Sequence, residues 1–145
     1  MPNPRRYLIC AGLLTILALP ARAATGFETE LDPAPFDASN KADVVGIGNA
    51  SASLDGRSLA ISGTFFGLSS PATAAELRIG LAMGVPGEAI GTLTIDRASS
   101  GTVSGKIDLT AKQLAALRSG ALYIRIDSVR APDGNLQGWL QPKGE

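Results

Sequence analysis

The chain of 145 residues is long enough for one compact domain and too short for a two-domain enzyme. Lysine plus arginine balance aspartate plus glutamate at 13 each, so there is no positive field to hold a phosphate backbone and nucleic-acid binding is disfavoured. Histidine is absent and Cys10 is the only cysteine, which excludes Ser-His-Asp and Cys-His nucleophile systems.

Arg5 and Arg6 precede an apolar run from Tyr7 to Pro20, and Ala21-Arg22-Ala23 then places small residues at the two positions a signal peptidase reads. Residues 1–23 are therefore expected to be a secretory signal. The run is too short to span a bilayer, which takes about 20 apolar residues, so the mature chain is expected to be exported, periplasmic or extracellular, and not membrane-spanning. Cleavage after Ala23 removes Cys10 and three arginines. Ten basic residues then face thirteen acidic ones, for a net charge of −3. Without thiols or imidazoles, no transition-metal site and no disulfide can form, and no cofactor is expected.

Residues 24–43 are rich in Pro, Ala, Asp and Glu, and read as an extended arm anchored by Phe27, Leu31 and Phe36. From Val44 to the end at residue 145, period-two alternation between Gly and Ser punctuation predicts antiparallel strands. Ala50, Ala52 and Leu54 share one face, Asp55-Gly56 supplies a tight turn, and Leu59, Ile61 and Phe65 continue the inward set. Leu77, Ile79, Leu81 and Met83 alternate with Glu76, Arg78, Gly80 and Ala82, predicting a half-buried strand that ends at Gly84-Val85-Pro86-Gly87. Leu93 and Ile95, then Val103, Ile107 and Leu109, repeat the scheme.

A helix is expected at about residues 111–118. Thr110 is its N-cap with Gln113 three residues on, Leu109 and Leu114 form a hydrophobic staple, and Gly120 is the stop. Leu122, Ile124 and Ile126 make a strand, Ala131-Pro132-Asp133-Gly134 a turn, and Leu136 and Leu140 mark the last strand. The expected fold is all-β, an antiparallel Greek-key-like β-sandwich of about seven strands with one short helix. Asp133-Gly134-Asn135 has only the spacing of two calcium ligands and reads as a turn. Gly46-Ile47-Gly48 lacks the following helix that a phosphate site needs. Asn49-Ala50-Ser51 fits a glycosylation sequon.

The run Leu117-Arg118-Ser119-Gly120-Ala121-Leu122-Tyr123-Ile124, followed by Pro132-Asp133-Gly134-Asn135-Leu136-Gln137-Gly138, resembles the C-terminal signature of the CHRD domain, first described in chordin. Ser62 to Leu68 and the Gly-punctuated stretch Gly80 to Gly91 resemble its middle segment, so that the likeness covers about residues 44–141. The resemblance implies an extracellular immunoglobulin-like or related β-sandwich of the short exported bacterial form, with no particular activity. Many members carry histidines where this chain has Glu76-Leu77-Arg78, and His-Thr where it has Asp127-Ser128.

Arg78 and Asp127 both fall on the outward alternation of their strands at those positions. They are expected either to meet as a cross-strand ion pair or to be ordinary solvated charges. Tyr123 and Trp139 fall on the outer face as well, where they stack on a sugar ring, anchor a protein partner, or lie under Phe27 or Phe36 of the arm. Tyr123, Trp139, Arg78 and Asp127 are thus the candidate binding surface, with no catalytic and no metal-ligating residue assigned. The expected function is a non-enzymatic binding or envelope-structural module whose partner is an envelope or extracellular protein or a glycan. The alternative is a small metal-handling or hydrolytic protein degenerated from histidine-bearing relatives.

Overall fold

The computed structural model describes residues 25–144; the expected signal peptide, its cleavage site and Cys10 lie outside the described residues. In chain order the elements are β1 (Thr25–Pro33), β2 (Ile47–Asp55), β3 (Ser58–Phe66), β4 (Ala72–Ile79), β5 (Glu88–Ile95), β6 (Gly101–Asp108), α1 (Ala111–Arg118), β7 (Leu122–Ser128), β8 (Leu136–Trp139) and β9 (Gln141–Pro142). Every strand pairing is antiparallel.

The ladder runs β2-β3-β6-β5-β4-β7-β8-β1, and β1 pairs with β2 again, so the sheet closes on itself. This corrects the expected sandwich of seven strands: the fold is a closed eight-stave barrel, in which β8 and β9 lie along the same edge of β1. Alternation reports only that each strand has one buried face, a condition that a sandwich and a barrel both meet. The Greek-key element is retained, since β4, β5 and β6 follow one another by hairpins while β3 lies beside β6.

Closure depends on the segment read as an arm. Phe27, Thr29 and Leu31 point inward and Glu28, Glu30 and Asp32 outward, a strand alternation overlooked among the flanking prolines and alanines. Phe27 and Leu31 are fully buried in the core, and β1 pairs with β2 from Thr25↔Leu54 to Leu31↔Gly48. The expected domain boundary at Val44 is therefore not a structural one.

The barrel interior is filled by the predicted inward residues, among them Ala50, Ala52, Leu54, Leu59, Ile61, Phe65, Leu77, Leu93, Val103, Leu122, Ile124, Ile126, Leu136 and Leu140. An eight-strand barrel is just wide enough for such side chains to fill it. The helix lies where the cap signals placed it. Gln113 N–H donates to the Thr110 hydroxyl at 3.2 Å, Thr110 N–H donates to the Gln113 side chain at 3.0 Å, and Leu117 buries the helix against the core.

Two local expectations fail. The β2–β3 turn is Gly56-Arg57 rather than Asp55-Gly56, with positive φ at the first central residue only, as in a II′ hairpin. The strand expected to run to Met83 stops at Ile79, leaving Leu81 94% and Met83 60% exposed. Gly80 N–H is spent on the Ala121 carbonyl at 2.9 Å, and the chain then folds back so closely that a Cβ on Gly80 would lie 1.9 Å from the Val85 carbonyl oxygen.

Candidate functional site

Three neighbouring strands bring the outward residues of interest together. In the β4–β7 register Arg78 faces Tyr123 and Glu76 faces Arg125, and in the β7–β8 register Tyr123 faces Trp139 and Arg125 faces Gln137. Two rows result, Arg78-Tyr123-Trp139 and Glu76-Arg125-Gln137, with Asp127 further along β7. Side chains of cross-strand neighbours on one face are in reach of each other, which is why parity alone assembles this patch.

Tyr123 and Trp139 stack, with ring centroids 4.2 Å apart and planes at 29°. Tyr123 is only 1% exposed despite its outward direction, because Trp139 covers it on one side and the β4–β5 connection covers its hydroxyl. That hydroxyl accepts from Arg78 Nε at 3.1 Å and from Gly87 N–H at 3.0 Å, and lies 3.3 Å from the Gly87 carbonyl oxygen. Arg78 also donates to the Gly87 carbonyl at 2.7 Å. Trp139 keeps a partly exposed ring. The arm's aromatics do not cover it, since Phe27 is in the barrel core and Phe36 is itself 51% exposed.

Of the two expected arrangements for Arg78 and Asp127, a mutual ion pair or ordinary solvated charges, neither forms; Glu76 on β4 and Arg125 on β7 stand between them on the face and pair with them instead. Arg78 pairs with Glu76, Arg125 pairs with Asp127 at 2.9 Å, and Arg125 also lies 3.8 Å from Glu76, so the four charges form one chain. Burial opposes the charge on Arg78, but its bonds to Tyr123 and Glu76 outweigh that cost and hold its pKa above the ordinary arginine value. Burial raises the pKa of the Asp127 carboxyl above the usual carboxylate value, and the attraction of Arg125 only partly offsets it. The Arg125 Nε and Asp127 Oδ1 atoms are buried without an aligned hydrogen bond, consistent with a charge contact of imperfect angle.

Arg125 and Glu76 link the network, and Arg125 was overlooked in the sequence although it shares the outward parity of Tyr123 and Asp127. Asn135, within the predicted turn, directs its side chain inward. Its carbonyl oxygen accepts from Ser128 Oγ at 2.7 Å and its amide donates to the Val45 carbonyl at 2.7 Å, tying the β7–β8 hairpin to the β1–β2 connection.

The CHRD domain family model matches residues 27–140, from within β1 to just beyond β8. The chain belongs to the CHRD domain family. No curated protein and no solved structure matches it. In this CHRD domain the likeness therefore extends through β1, ahead of the start expected at residue 44, as barrel closure requires. Glu76, Arg78 and Asp127 are all three drawn into the ion-pair chain.

Proposed function

We propose that this CHRD barrel is an exported, non-enzymatic binding or envelope-structural module acting in the periplasm or outside the cell, with the outer face of β4, β7 and β8 as its contact surface. Family membership supports the coarse reading of a small extracellular, binding-type module. The observation that carries the rest is the Tyr123–Trp139 stack, held in place by Arg78 and Gly87 yet leaving part of the indole at the surface. A rigid aromatic anchor beside fixed, mutually compensated charges loses little conformational freedom on binding. The carboxylates a hydrolytic site would draw on here, Glu76 and Asp127, are both engaged by arginines, which supports binding over chemistry.

The test is retention of components from the envelope and culture medium of the producing cell on immobilised protein, wild type against Trp139→Ala. A protein or glycan retained by the wild type and lost from the variant is the expected result. Identical retention by both, or turnover of a hydrolysable substrate abolished by Glu76→Gln, overturns the proposal.

A further inference from the structure

We infer that the ligand is a neutral or N-acetylated oligosaccharide, bound in the groove between β1 and the β8–β9 edge with its sugar ring on Trp139. This rests on the proposed binding role and names the ligand class for the Trp139 end of that surface, where β8 borders β1. The groove, about 430 Å³, is lined by Thr29, Glu30, Asp32, Gln137, Trp139 and Gln141 among others, and no lysine or arginine lines it.

The strand registers arrange these side chains in two facing rows. Asp32 is the Cα partner of Gln137 and Glu28 that of Gln141. The same register continued places Glu30 opposite Trp139. The indole thus has Gln137 and Gln141 about 7 Å away on either side along its strand, each opposite a carboxylate of β1; the Gln141 amide nitrogen donates to Met83 Sδ at 3.2 Å, and the Gln137 amide has no such partner among the described residues. Tyr123 backs the ring. Glu28, Glu30 and Asp32 are exposed, and no salt bridge among the described residues engages them.

This donor set matches the chemistry of a sugar. A pyranose offers an apolar face of C–H groups to an aromatic ring and a rim of hydroxyls that both donate and accept. Carboxylates accept from two hydroxyls at once, and a primary amide both donates and accepts. The two carboxylates that line the groove, Glu30 and Asp32, have no ion pair among the described residues and repel uronic acids, sialic acids and phosphorylated glycans, which selects against acidic sugars. A cationic peptide pairs with carboxylates and stacks a guanidinium on an indole, which makes it the competing ligand; the partly exposed ring beside side chains that accept and donate matches the C–H face and hydroxyl rim of a glycan.

Trp139 is the only tryptophan in the chain, so its fluorescence reports directly on the groove. The protein is titrated with cellohexaose and chitohexaose as neutral and N-acetylated probes, with an oligogalacturonate as the acidic probe and hexa-arginine as the cationic peptide. The expected result is a saturable shift in Trp139 emission with a neutral or N-acetylated probe and none with the oligogalacturonate. Calorimetric affinity should fall roughly tenfold or more in Trp139→Ala, the loss typical of an aromatic anchor. If Trp139→Ala does not fold, Gln137→Ala and Trp139→Phe carry the test, with a smaller loss expected from the second. Binding confined to the oligogalacturonate or hexa-arginine, binding by neither neutral nor N-acetylated probe, or affinity unchanged in the variants overturns the inference. Envelope retention separates its failure from that of the binding role: a Trp139-dependent protein partner without glycan affinity sinks this inference alone.

Discussion

Tyr123 shows how one residue's parity and its exposure can part company. Its Cβ points away from the core, yet a neighbouring ring and the Gly87 backbone exclude water from it, and its hydroxyl becomes the hinge between β7 and the β4–β5 connection. Asp127 is the other residue whose environment alters its chemistry. Burial raises its folded-state pKa above the unfolded value near 4, so between those two values the folded chain holds a proton that the unfolded chain has released. Stability from this group is therefore present at acid pH and lost as pH rises through the folded pKa. Replacing Asp127 by Asn should flatten the stability-versus-pH curve in the window just above pH ~4. Denaturant unfolding across that window, with a carbon-13 carboxyl titration of the wild type, measures both quantities. A titration midpoint at or below the ordinary carboxylate value would contradict the assignment.

At the scale of elements, the seam between β1 and the β8–β9 edge is closely fitted. A Cβ on Gly138 would stand 2.2 Å from the Glu30 carbonyl oxygen, a backbone atom that cannot rotate away. Gly138→Ala should force the seam apart and cost about 1–3 kcal/mol in denaturant unfolding, with amide exchange accelerated selectively in β1 and β8. Gly56→Ala meets no neighbour within 4 Å and strains only its own positive φ, so its effect should stay local to the β2–β3 turn. The helix α1 depends less on its surroundings, since its start is set by Thr110 and Gln113 and its end by Gly120, all local in sequence.

For the whole molecule the decisive event is closure. β1 has one edge on β2 and the other on β8 and β9, so it is the stave that leaves the sheet without a free edge. A chain lacking residues 25–33 would expose the edges of β2 and β8 and remove Phe27 and Leu31 from the core. It should aggregate or lose its dispersed amide spectrum, whereas a chain beginning at residue 24 should remain folded and monodisperse. Size exclusion and a proton–nitrogen correlation spectrum of the two chains decide the matter. Equal folding of both would mean that β1 is the arm its composition suggested.

Most of the inward set, the helix with its caps and the β7–β8 turn were legible in the sequence, because periodicity, capping and turn chemistry act over a few residues. Parity likewise placed Arg78, Tyr123, Asp127 and Trp139 on an outer face. The barrel, the role of β1 and the early end of β4 were not legible, because they depend on which strands meet, on the Gly80 N–H bonding Ala121 and on how closely Gly138 approaches the backbone of β1. The same holds for the site. The sequence determined which side chains point outward, but only the tertiary register decided that Arg78 pairs with Glu76 rather than Asp127, and that the acids of β1 face Trp139. Alternation specifies a face, whereas contact is specified by pairing between segments far apart in the chain.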